Sequence, residues 1–295
     1  MTLRKQYVSL ITVSFLLLFS TGCIAFLPIG KKERSEKQEE VIAVEQSNNS
    51  FQGEFREEEA MRLLYGNYDT EQSQSKWQPD RKKIDDLGFY NGDEPFYATA
   101  ILNDTFSENG KERRVLITQS VPKNHDCHAC APLIGGAFFT KVGDIWQLDS
   151  EEKYIGTYGS SGQPPDFDIE QIGPNKHAII TELNFLHMGI ATSSLALLVE
   201  DKGRINEVLL FSELASNNEG AGCEDYDEDE NSLKTAPKCF SYESDYDFEP
   251  GQNPDFYDLK IKRTGTMQDN EGKVKPVNET FVYRFLNGKY EEVKK

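Results

Sequence analysis

The side chains best suited to chemistry crowd into one stretch, His125-Asp126-Cys127-His128-Ala129-Cys130. Three chemistries draw on such residues. A redox pair sets its first cysteine at a helix N-terminus, where the dipole lowers the thiol pKa, but Pro132 and Gly135-Gly136 follow closely and oppose a long helix. Haem attachment needs a histidine directly after the second cysteine, and Ala131 stands there. Two cysteines and two histidines suit a transition metal such as copper, yet four ligands packed into so short a run wrap one tetrahedral ion poorly. The expectation is a structural disulfide between Cys127 and Cys130. A metal site using His125 and His128, and a thiol redox site, stay open as alternatives.

A second cluster, Asp225-Tyr226-Asp227-Glu228-Asp229-Glu230-Asn231, alternates oxygen ligands as a calcium loop does. Calcium takes six to eight oxygens, and such loops normally carry Gly at the sixth place and a bidentate acid at the twelfth. Those places hold Glu230 and Ala236. A solvated acidic loop closed by Cys223 and Cys239 is the expectation, with a weak calcium site on Asp225, Asp227 and Asp229 as the alternative.

No catalytic residue is assigned. The nucleophile elbow G-x-S-x-G and the zinc motif H-E-x-x-H are absent, and choosing two of 50 acidic residues as a glycosidase pair would be arbitrary. Gly156-Thr157-Tyr158-Gly159-Ser160-Ser161-Gly162 has neither dinucleotide spacing nor a Walker lysine, and reads as a mobile surface loop. His187-Met188 reads as a strand end rather than a pair of soft metal ligands. No cofactor is expected beyond the calcium and transition-metal alternatives.

The cysteines also speak to compartment. With Cys23 set aside, Cys127, Cys130, Cys223 and Cys239 form an even set that makes sense as two local bridges in an oxidising space. Upstream, Arg4 and Lys5 precede the apolar run Val8 to Phe19, and Ser20-Thr21-Gly22 leads into Cys23. This arrangement resembles the signal and lipobox of a bacterial lipoprotein. The resemblance implies cleavage before Cys23, a lipid such as palmitate on its thiol, and anchoring in a membrane through that lipid. A transmembrane signal anchor is the alternative, because the apolar stretch from Val8 to Ile29 covers 22 residues, long enough to span a bilayer. Ile24 follows the cysteine where the resemblance would place an Asp for inner-membrane retention, so the outer membrane is the expected address in a diderm cell. The remainder, including the stretch Asp126 to Gly136, loosely resembles uncharacterised bacterial exported proteins, a likeness that carries no activity.

The formal net charge is −18, and it becomes −20 once residues 1–22, with Arg4 and Lys5 and no acid, are removed. Such a surface repels nucleic acid, and favours cationic partners where it binds anything. Residues 23–52 are mostly charged and polar, and read as the lipidated cysteine and a flexible tether. Residues 53–295 read as a single domain.

The elements that must position any site are mainly strands. Acidic Glu57, Glu58 and Glu59 with Ala60, Leu63 and Leu64 predict one short helix over about Glu54 to Tyr65, stopped by Gly66. Asn67 to Asp85 reads as loop. Five turn signals then divide β-prone runs, at Asn109-Gly110, Gly143-Asp144, Lys202-Gly203, Glu271-Gly272 and Asn287-Gly288. The last is the strongest, since both residues tolerate positive φ. His177 to Phe185 and Leu195 to Val199 are the most apolar runs and the expected central strands. Unequal spacing gives no fixed repeat, so antiparallel hairpins in a sandwich, a barrel or an irregular propeller-like body are the predicted fold.

Function is therefore expected to be a non-enzymatic binding or structural role in the cell envelope, with an envelope protein or a glycan as partner. A metal-binding lipoprotein using the His125 to Cys130 cluster, or an extracytoplasmic hydrolase or thiol enzyme with an unrecognised site, are the alternatives.

Overall fold

Alternation of apolar side chains with period two explains most of the architecture. The structure is a computed structural model, and it describes residues 49–88, 90, 91, 93–123, 127, 130–223 and 238–294. Among these the chain is mainly β, in two antiparallel sheets. The first sheet holds seven strands: β1 Ser50–Gln52, β2 Tyr68–Asp69, β3 Gln74–Trp77, β4 Phe96–Glu108, β5 Lys111–Pro122, β6 Leu133–Val142 and β7 Ile145–Thr157. Their order is β1-β7-β6-β5-β4-β3-β2. The second holds eight: β8 Phe167–Gly173, β9 Lys176–His187, β10 Ile190–Asp201, β11 Arg204–Asn217, β12 Ser241–Glu249, β13 Asp258–Gln268, β14 Val274–Leu286 and β15 Lys289–Glu292, in sequence order.

All five predicted hairpins are present, at the β4–β5, β6–β7, β10–β11, β13–β14 and β14–β15 turns. Asn287 and Gly288 have φ of 52° and 86°, as a tight primed turn requires. The helix is shorter than predicted: α1 spans Glu57–Tyr65. The stretch Asn67 to Asp85, read as loop, instead holds β2, β3 and a second helix, α2 Arg81–Asp85. Its polar composition hid these elements because all three are short. Asp80 caps α2, its side chain accepting from the Lys83 N–H at 3.0 Å.

Three large cores pack against these sheets, beside a smaller cluster of Ile84, Phe96 and Leu133. Ala60, Met61, Leu64 and Tyr65 of α1 pack on Phe139, Trp146 and Leu116, covering one face of the first sheet. The opposite face presents Val115, Ile117, Ile134 and Phe138, which meet Ile179, Leu183, Ala196 and Leu198 of the second sheet. The far face of those same strands, with Ala178, Ile180, Leu195 and Leu197, supplies a third core together with Leu259, Ile261 and Tyr290. Leu195 to Val199 is continuously apolar because both of its faces are buried.

The third core exists because the second sheet curls. β12 pairs with β11 only through Ser216–Tyr242 and Asn217–Ser241 and then departs from it. β12 thereafter pairs along its whole length with β13. The loop beyond it returns to β8, where the Tyr257 N–H donates to the Ile172 carbonyl at 2.7 Å. β12 to β15 thus close back over β8 to β11, in a half-barrel whose concave face is the third core.

Candidate functional site

β12 is the element that shapes the site. Its sequence, SYESDYDFE, alternates strictly between exposed and half-buried residues, which sets Tyr242, Ser244, Tyr246 and Phe248 inward and Glu243, Asp245, Asp247 and Glu249 outward. Tyr246 faces β8 and β9 across a cavity of about 530 Å³, within the range of small-ligand pockets. Ile180 contributes apolar surface, and Asp166, Asp168 and Glu182 give carboxylates. The register explains how the last two come to face the same way: Asp168 stands opposite Ile180 on β8 and β9, and Glu182 lies two residues beyond Ile180.

Electrostatics agree with that geometry. The Tyr246 phenol is held above its ordinary pKa, first by burial and then by the negative charges of Glu182, Glu170 and Asp168. The phenol stays neutral in consequence, an amphipathic wall facing acidic groups. Among the described residues no histidine or cysteine lines this cavity, and its polar side chains are hydroxyls, carboxylates and amides.

The far wall is the glycine-rich turn. Part of this stretch, read as a surface loop, belongs to β7, and the rest forms a turn: Ser160 and Gln163 form a bridge, and the Gly162 N–H donates to the Cys130 carbonyl at 2.8 Å. Thr181 Oγ1 donates to the Asp166 carbonyl at 2.7 Å and fixes the entry to β8. Gly159 and Ser160 then face the cavity.

A second cavity of about 370 Å³ adjoins the first, and Asn184 lines both. It is lined by Phe185, Leu186, Ala191, Ser193 and Ala215 among others. Ser193 is 8% exposed, and its hydroxyl has no hydrogen-bond partner among the described residues.

No protein-family model, no curated protein and no solved structure matches this chain.

The cysteines lie as the local pairing has them. Cys127 and Cys130 are bonded, with Cα atoms 5.3 Å apart, and so are Cys223 and Cys239, at 4.9 Å. Cys130 is fully buried, and β6 starts three residues on, at Leu133. Cys23, His125, His128, Asp225, Asp227 and Asp229 lie outside the described residues. Among the described residues no group of three or more His, Cys, Asp or Glu is placed to hold a metal ion. His187 ends β9 and is exposed, with Met188 in the turn beyond it. The bridges are compatible with an extracytoplasmic location, and among the described residues no helix is long and apolar enough to cross a membrane.

Sequence reasoning missed Tyr246, Asp168, Glu182 and Asn184. The period-two alternation of aromatic and acidic residues in Ser241–Glu249 was the available signal for the first. Nothing local in the sequence marks the others, because they converge only when β12 crosses over β8 and β9.

A buried ionic cluster elsewhere is structural in character. Arg113, buried between the sheets, pairs with Glu108, and with Asp149 and Glu200 at 3.2 and 3.3 Å. Its guanidinium carbon lies 5.3 Å from the Phe138 ring centroid. Burial pulls the Arg113 pKa down, but the three carboxylates outweigh it and the net shift is upward. The cluster joins β4, β5, β7 and β10, and so ties the two sheets together at one end.

Proposed function

We propose that this chain is a lipid-anchored envelope protein that binds, without transforming it, a positively charged ligand in the cavity between Tyr246 and β8–β9. The observation that carries this reading is the pairing of an aromatic wall with Asp166, Asp168 and Glu182 around about 530 Å³ of accessible space. A cation gains there from the carboxylates and from the face of a neutral tyrosine. The overall charge of −18 draws such a ligand in from a distance. Attachment through Cys23 would hold this site at a membrane surface. It rests on the resemblance of residues 4–23 to a lipoprotein signal, and the two disulfides fit the compartment such a signal implies.

Isothermal calorimetry with trilysine against a neutral trisaccharide tests the cavity. Trilysine is expected to bind, and the combined Asp168→Asn and Glu182→Gln variant to weaken it by about fivefold or more at low salt, since each partly exposed charge contributes up to roughly 1 kcal/mol. Equal binding by the variant, or preference for the neutral sugar, overturns the cationic reading. The anchor has its own test, which is growth of expressing cells on radioactive palmitate. Label on the native chain and none on Cys23→Ser is expected, and equal label on both removes the lipid from Cys23.

A further inference from the structure

The two cavities share Asn184 and form one trough, and β12 meets it through Tyr246. Ser216 and Asn217, which pair with the first residues of β12, line the smaller cavity. Tyr246, farther along the same strand, lines the larger one. Asn184 belongs to both, so the trough crosses the ends of β11, β10, β9 and β8 in turn. Among the described residues none of β13 lines either part, while β8 to β11 supply the lining other than Tyr246 and the turn ahead of β8. On the side of β12 away from β13, from Glu243 to Glu249, no backbone group of β12 has a strand partner among the described residues.

We infer that the trough takes an extended peptide, added to β12 as an extra strand, with lysine or arginine at the end over β8 and small apolar residues at the end over β11. This deepens the cationic reading given above and rests on it. Main-chain hydrogen bonds to an open edge supply affinity in strand addition, while alternate side chains read the flanking pockets. Length fits as well. Crossing four strands spans three spacings of roughly 4.8 Å, about 14 Å in all, which four or five extended residues cover at about 3.3 Å each.

The side chains grade along the trough in a way that orients such a peptide. Asp166, Asp168 and Glu182 mark the β8 end. Ala191, Ala215 and Leu186 mark the β11 end. Ser193 adds a second observation there, because its hydroxyl is buried, has no partner among the described residues and is part of the lining. A buried hydroxyl without a partner is costly, and a peptide group beside it would satisfy it. An exposed acidic edge strand also guards against aggregation. The same outward row, Glu243, Asp245, Asp247 and Glu249, repels other acidic edges and admits a basic one.

The test uses the full chain and the peptide acetyl-Lys-Val-Lys-Val-Ala-Val-amide. Two further peptides carry backbone N-methyl groups on every second residue, one in each register, so that charge and side chains are kept while one row of N–H donors is removed. Calorimetry is expected to show the parent peptide and one methylated register binding alike, with the other register at least about tenfold weaker. Hydrogen exchange of residues 243–249 is expected to slow when the parent peptide is bound. Equal affinity in all three peptides overturns strand addition, as does equal weakening in both methylated registers or exchange on β12 that does not change. If trilysine and all three peptides bind alike, the cationic cavity stands and the added strand falls. If none of them binds, both fall.

Discussion

At the scale of single residues, His177 is the group whose burial has the clearest consequence. It sits at the seam of the two sheets, its ring 4.8 Å from that of Phe106, and its Nδ1 has no hydrogen-bond partner among the described residues. Its pKa is lowered, first by burial, with Glu108 opposing and Arg113 adding to the shift. A histidine that binds a proton less readily folded than unfolded makes the unfolded chain the stronger proton acceptor, so stability rises with pH in that window. The loss is therefore expected as pH falls below the ordinary value of about 6.5. Urea denaturation between pH 5 and 8 should show His177→Phe losing less stability than the native chain on acidification. An unchanged slope would assign the effect to other groups. Little of this was legible in the sequence: His177 stood at the start of an apolar run, but nothing local placed it against Arg113 and Glu108.

At the scale of elements, the β9–β10 hairpin shows how a tip can be apolar and still fixed. Leu186 and Met188 are 76% and 82% exposed, yet the turn is braced from behind. Gly189 has φ of 81°, and a side chain there would come within 2.3 Å of the Gly220 and Ala221 backbone. Both of those residues belong to the short 3-10 turn Glu219–Ala221, which lies just ahead of the Cys223–Cys239 bridge. Gly189→Ala is expected to cost about 1–3 kcal/mol from the combined strain and collision. Equilibrium unfolding in urea measures it, and faster hydrogen exchange confined to residues 184–192 would locate it. This hairpin escaped sequence reasoning because Met188-Gly189 is not a standard turn pair, although Gly189 alone was a usable hint. The five predicted hairpins were legible, since each carries a residue that tolerates positive φ between two β-prone runs, whereas the tight β8–β9 turn over Pro174-Asn175 was missed as well.

At the scale of the whole molecule, the two sheets share a core, so they are expected to unfold together. Phe138 is 3% exposed and packs between Arg113 and the strands of the second sheet. Both tryptophans, Trp77 and Trp146, belong to the first sheet, whereas far-ultraviolet dichroism reports both sheets. For the native chain the two probes should give coincident urea transitions. Phe138→Ala is expected to lower stability by about 3–5 kcal/mol while the two curves stay together. Curves that separate in the native chain would show sheets of independent stability.

The sequence by itself determined what local rules can carry. Turn residues and period-two alternation specified antiparallel hairpins, helix α1 followed from acids ahead of an apolar stripe, and cysteine spacing specified two local bridges. Composition determined the negative charge. The tertiary structure decided where these pieces meet. The departure of β12 from β11 after two residue pairs follows from no local signal, because a strand's own alternation fixes its faces but not the angle at which it crosses another layer. That one departure folds β12 to β15 over β8 to β11, brings Tyr246 against Asp168 and Glu182, and leaves the edge of β12 open beside the trough.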